Sequence, residues 1–135
     1  MLTPAEILRE AKTIAMVGAS PKRDRPSNGV MRYLLDQGYD VIPVRPDGCD
    51  EVLGVPCVRT LAEIDRPIDV VDLFRRPEFT PAHAHEAVAA GAAALWLQLG
   101  IVSTEARRIA EDAGLDYVED ACMAVVHRRD MSEPV

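Results

Sequence analysis

Short apolar runs recur along the chain at Thr13–Gly18 (TIAMVG), Tyr39–Val44, Ile68–Phe74 (IDVVDLF) and Ala94–Leu99, with segments of helical spacing between them. Runs of this length, apolar on consecutive rather than alternate positions, are strands covered on both faces, as in a parallel sheet. Parallel neighbours need crossover connections, and the intervening helices supply them on either side. A shorter run at Asp116–Glu119 completes the rhythm. The expectation is an α/β fold: a doubly wound parallel sheet of about five strands with helices on both faces.

The helical segments carry their own punctuation. Thr3-Pro4-Ala5-Glu6 is a capping box with proline at the first helical position, predicting a helix to about Lys12. Between Ser27 and Gln37, Val30, Met31, Leu34 and Leu35 fall on one face, and Gly38 ends the segment. Thr80-Pro81 opens an alanine-rich helix that stops at Gly91, and Ser103 or Thr104 caps another that runs to Ala113 before Gly114. Asp47–Pro56 reads as irregular. A short extended piece follows at Cys57–Val58, then a capped helical turn at Thr60–Glu63, and Met123–Val126 reads as a last extended piece. The 135 residues suit one domain over 1–135, with a helix at 1–12, a tail at 128–135 and no room for a separate catalytic domain.

Charge narrows the partners. Acidic residues number 22 against 15 basic ones, a net charge of −7 that disfavours binding to nucleic acid or an anionic membrane. No apolar run is long enough to span a bilayer, and the first residues lack a signal-peptide core, so a cytoplasmic protein is expected. Cys49, Cys57 and Cys122 form no CxxC pair and leave an odd thiol, which suggests neither a zinc site nor a disulfide framework.

In a doubly wound sheet, ligands bind beyond the carboxyl ends of the strands where the strand order reverses. Five segments share that edge: Gly18–Asn28, Pro43–Asp47, Phe74–Pro77, Gln98–Ile101 and Asp120–Cys122. The first follows a strand and opens a helix, so its backbone N–H groups suit a phosphate, with Gly18 and Ala19 at the turn. Ser20, Ser27 and Asn28 add neutral donors, and Lys22, Arg23 and Arg25 add cations just before Pro26. It does not spell GxGxxG, and a plain tight turn with solvated cations is the competing reading.

At the second segment, Val44-Arg45-Pro46 puts a guanidinium where an NAD site carries an acid for the ribose hydroxyls. A guanidinium suits a ribose phosphate instead, such as the 2′-phosphate of NADP or the 3′-phosphate of coenzyme A. Alternatively, Arg45 pairs with Asp47. Phe74 offers an adenine wall or core packing, Arg75 and Arg76 are phosphate candidates, and Gln98 and Gly100 suit a ligand hydrogen bond or a turn. Trp96 reads as core.

Catalytic and metal-binding constellations are not found. His83 and His85 are two apart and point to different helix faces, reading as solvated surface residues. Cys122 and His127 lack an orienting partner, so Cys122 reads as a buried structural thiol, and Glu119-Asp120 gives no sign of an acid/base pair. A Tyr-x-x-x-Lys pair for hydride-transfer chemistry is also missing.

The run VGASPKRDRPSNGVMRYLLDQGYDVIPVRP, then DVVDLFRRPE, LWLQLG and GLDYVEDACM, resembles the small stand-alone CoA-binding domain proteins. These are related to the Rossmann-like CoA-binding domain of succinyl-CoA synthetase α subunits. The resemblance covers roughly Lys12 to His127 and implies a Rossmann-like fold. It implies a site for coenzyme A or an acyl-CoA on Gly18–Asn28, Val44–Pro46 and Phe74–Arg76, with further contact near Gln98 and Gly100. Where that family usually reads Pro-Val-Asn-Pro, this chain has Arg45; where it reads Asp-Arg-Cys, this chain has Ala121. The related synthetase phosphorylates a histidine and relies on further domains, and the three histidines here do not sit in its motif. The resemblance therefore implies a binding module acting as carrier, sensor or accessory unit, with a homo-oligomer or an acyl-CoA enzyme as partner. The alternatives are a small NADP-binding oxidoreductase and a scaffold with a vestigial site.

Overall fold

A computed structural model describes residues 1–131 of the protein. Its core is a five-stranded parallel sheet of β1 (Thr13–Val17), β2 (Asp40–Val44), β5 (Val70–Leu73), β6 (Ala94–Leu97) and β7 (Asp116–Val118), in the order β2-β1-β5-β6-β7. A separate hairpin pairs β3 (Glu51–Val52) with β4 (Val55–Pro56). The fold is a single-domain Rossmann-like α/β sandwich, as the alternation of strands and helices predicts.

Both faces of each central strand are buried, and their residues divide by parity. Ile14, Met16, Val70, Ala94 and Trp96 pack with α1 (Pro4–Glu10), α2 (Pro26–Asp36) and α5 (Met123–Met131). Ala15, Val17, Val71, Leu73, Leu95 and Leu97 pack with α3 (Thr80–Ala89) and α4 (Thr104–Asp112). The second layer is built on alanines: Ala84 and Ala87 of α3 and Ala106 and Ala110 of α4 are fully buried, and small side chains let these helices sit close to the sheet. Trp96 is completely buried, its indole N–H donating to the Ala121 carbonyl at 2.8 Å.

The strand order reverses between β1 and β5. From β1 the chain crosses outward to β2 through α2; from β5 it proceeds the other way through α3, β6, α4 and β7. The crevice at the carboxyl ends of β1 and β5 is thus the switch point of the sheet.

Four local expectations are corrected. Met123–Val126 is not extended but forms the start of α5, because Met123, Ala124, Val126 and His127 fall on one helical face and bury against the sheet. Helix α5 also takes in residues 128–131 of the expected tail, and residues 132–135 lie outside the described residues. The span Asp47–Pro56 holds the β3–β4 hairpin, whose turn has Leu53 at φ 51° and Gly54 at φ 80°, the left-handed pair a two-residue hairpin needs. Pairing across that hairpin brings Cys49 and Cys57 to a Cα separation of 5.8 Å as a disulfide, although their spacing in sequence suggests none.

Candidate functional site

Gly18 ends β1 at the switch point with φ +88°, its N–H donating to the Val44 carbonyl at 2.8 Å. A Cβ here would lie 2.3 Å from the Phe74 carbonyl oxygen, so only glycine allows the loops after β1 and β5 to touch. The following loop is held from within. Ser20 N–H donates to Ser27 Oγ (3.0 Å), Lys22 N–H to Ser20 Oγ (3.2 Å), and Asn28 Nδ2 to the Ser20 carbonyl (2.9 Å). Pro26 starts α2, and its N-cap, Arg25, makes no side-chain cap; the Asn28 N–H donates to the Arg25 carbonyl at 3.0 Å, and the positive end of the helix faces the loop.

These loops enclose a polar cavity of about 360 Å³ lined by Gly18, Ser20, Lys22, Arg25, Pro26, Ser27, Arg45 and Phe74. Three cations reach its wall and no carboxylate does. Arg45 does not pair with Asp47: its Nη1 donates to the Ala19 carbonyl at 2.6 Å, and its buried Nε has no partner among the described residues. The strand-two end is held in turn by the segment just after the hairpin, since Arg45 N–H donates to the Val58 carbonyl at 2.8 Å.

A second cavity of about 410 Å³ shares Pro26 and Phe74 with the first and continues over β6. Val30, Arg75, Gln98, Leu99, Ile101 and Cys122 complete its largely apolar lining. Arg75 stacks over the Phe79 ring at 4.6 Å, with its Nε buried and unpartnered among the described residues. Gln98 is buried, and its Nε2 donates to Asp72 Oδ1 at 2.6 Å.

Of the residues anticipated from sequence, Gly18, Ser20, Lys22, Arg25, Pro26, Ser27, Arg45 and Phe74 thus converge on the polar cavity, and Arg75 and Gln98 on the apolar one. The others stand behind or outside. Ala19, Asn28 and Val44 are buried, and Asn28 Oδ1 accepts from Arg32 at 2.6 Å. Pro46 and Arg76 are exposed. Gly100 donates its N–H to Asp120 Oδ1 at 2.7 Å, which ties the loop after β6 to the loop after β7.

The weaker candidates also change. His83 is buried rather than solvated, with Nδ1 2.7 Å from Glu86 Oε1, because its helix face turns toward the sheet; His85 is exposed. Cys122 is a free, half-buried thiol on the apolar cavity rather than a sealed core residue. His127 is engaged by the Tyr33 hydroxyl at 2.7 Å, and burial holds its imidazole below the usual value. Asp72 was not anticipated, and the signal for it was the second of two acids, flanked by apolar residues within the run IDVVDLF.

Residues 12–128 match the family model described as a CoA binding domain. The chain belongs to the CoA binding domain family. The protein is 43% identical over 122 residues to the uncharacterized protein YneT of Bacillus subtilis, covering 90% of each chain. It is 23% identical over 126 residues to an ADP-forming acetate–CoA ligase of Archaeoglobus fulgidus, of which it spans 18%. Among solved structures, it superposes on a hypothetical protein of Pyrococcus horikoshii with a TM-score of 0.91 at 43% identity, covering 96% of this chain and 93% of that one. A Thermus thermophilus protein gives 0.89 at 37% identity, covering 95% and 98%. In this chain both cavities border the switch point of the sheet.

Proposed function

We propose that the protein binds coenzyme A or an acyl-CoA, its phosphates held in the polar cavity and its pantetheine arm laid along the apolar one. The observation that carries this reading is a cavity with Lys22, Arg25 and Arg45 on its wall and no acid among its lining residues, in a chain of net charge −7. Unneutralised guanidinium groups suit phosphate oxygens, which accept their planar N–H forks. The first turn of α2 adds its positive dipole end, with Ser27 on the cavity wall. Membership of the CoA binding domain family supports the same ligand.

The adjoining apolar cavity supports a ligand with a long, weakly polar arm more than one with a second nucleotide. Arg45 is the proposed partner of the 3′-phosphate and Arg25 of the remaining phosphates; Arg75, on the apolar cavity next to the shared Phe74, is the proposed partner of the phosphate nearest the arm, and Phe74 is the wall against adenine. No reaction is assigned: the role is that of a carrier, sensor or accessory unit in acyl-CoA chemistry. A cytoplasmic protein fits such a role. Among the described residues, no helix is long and apolar enough to cross a membrane.

Calorimetric titration with CoA, acetyl-CoA, dephospho-CoA and NADPH tests this. Arg45→Ala is expected to weaken CoA about ten- to a hundredfold, the loss of one charge-assisted contact worth roughly 1.5–3 kcal/mol, and to abolish discrimination against dephospho-CoA. Equal wild-type affinity for CoA and dephospho-CoA removes the role given to Arg45. Tight NADPH binding without CoA binding replaces the ligand.

A further inference from the structure

Strand β5 contains one acid, Asp72, fully buried in register between Met16 of β1 and Trp96 of β6. Strand alternation points it to the sheet face covered by α2 and α5. Its Oδ1 accepts from Gln98, whereas Oδ2 has no partner among the described residues. A carboxyl in this position costs stability that an aliphatic side chain of similar size would not. Burial pushes its pKa up to about 8, and the single Gln98 hydrogen bond offsets that only in part.

In the structure the Gln98 amide turns Nε2 toward Asp72 Oδ1, at 2.6 Å. A glutamine side chain has one carbonyl acceptor and an NH₂ donor group. With Nε2 engaged by Asp72, Oε1 is the Gln98 atom that has no partner among the described residues, in a side chain that lines the apolar cavity. Without the acid, the amide is free to turn and present a donor instead. The coenzyme A arm carries amide N–H groups and a hydroxyl, and these need an acceptor when they leave water.

We infer that Asp72 is a positioning residue: it orients Gln98 so that the side-chain carbonyl accepts a hydrogen bond from an N–H or O–H of the ligand's arm in the apolar cavity. This assignment rests on the CoA reading and deepens it. Asp72 touches no ligand; its effect passes through Gln98.

Titration of the full chain with CoA and with adenosine 3′,5′-bisphosphate, which lacks the arm, separates the two ends of the site. Gln98→Met is expected to weaken CoA about three- to tenfold and to leave the bisphosphate unchanged. Asp72→Leu should give the same selective loss with an equal or higher melting temperature, a combination that a purely structural role does not produce. In the double variant, the loss should be no larger than in Gln98→Met alone. Asp72→Asn keeps the shape but supplies a competing donor, so it should show the selective loss in smaller degree. The proposal is overturned if the losses fall equally on both ligands, if they add in the double variant, or if CoA affinity is unchanged. Equal wild-type affinity for the two ligands removes the arm contact and leaves the CoA reading standing; a wild type that binds neither removes both.

Discussion

The two edges of the sheet handle charge in opposite ways. At the amino edge, polar groups are matched. Asp69 Oδ2 accepts from the N–H groups of Lys12 and Thr13 at 2.8 and 2.9 Å, Asp116 Oδ1 accepts from Leu2 N–H at 3.0 Å, and Asp40 pairs with Arg66 at 2.6 Å. At the carboxyl edge, Lys22, Arg25 and Arg45 face a cavity without a carboxylate on its wall, and buried Nε atoms of Arg45 and Arg75 have no partner among the described residues. One edge spends its charges on closing the strand ends; the other keeps them available for an anion from outside. The difference locates a binding site more sharply than the net charge does.

The comparison breaks most completely at Gly18. Gly18→Val forces a β-branched side chain into φ +88° and against the Phe74 carbonyl, and is expected to lower the melting temperature by about 10 °C and to remove any shift produced by CoA. Thermal unfolding with and without ligand measures both effects, and an unchanged melting temperature would show that the two loops do not need their close approach.

A pH series probes the buried acid between the edges. An acid whose folded pKa is raised keeps its proton in the native state while the unfolded chain loses it, so stability falls as pH rises from the unfolded value near 4 to about 8. The melting-temperature difference between Asp72→Leu and the wild type should therefore widen across that window and level off above it. A difference that stays constant from pH 4 to 8 would mean that Asp72 is ionised throughout.

Arg66→Ala, at the matched edge, is the smallest change. The Arg66 hydrogen bond holds Asp40 below the usual carboxylate range, and because both side chains are more than a third exposed, solvent screens the pair. Depression of the folded pKa stabilises the protein above the unfolded value, and that stability is lost as pH falls through the folded one. The substitution should cost under about 1 kcal/mol at neutral pH, less in acid, and leave CoA affinity untouched. A CoA loss comparable to that of Arg45→Ala would erase the distinction between the edges.

Much of this was legible in one dimension. Continuous apolar runs announce strands covered on both faces, and ten of the residues anticipated as ligand contacts in the turns after them line the two cavities. Met123–Val126 misled because four apolar residues are too few to separate a strand from a buried helix; packing of Met123, Ala124 and Val126 against the sheet decided it. The Cys49–Cys57 pairing was hidden because eight residues of spacing carry no signal until the hairpin turn at Leu53-Gly54 folds them together. His83 looked like a surface residue because the alanines around it do not show which helix face meets the sheet.

By itself, the sequence determined the alternation of strands and helices, and with it the layered sheet and the edge on which a ligand must sit, because these follow from periodicity and local backbone chemistry. The tertiary structure alone decided the strand order, which cations share one cavity, and that Asp72 meets Gln98, 26 residues away. Those outcomes depend on contacts between distant segments, where close packing rather than local preference chooses the neighbour.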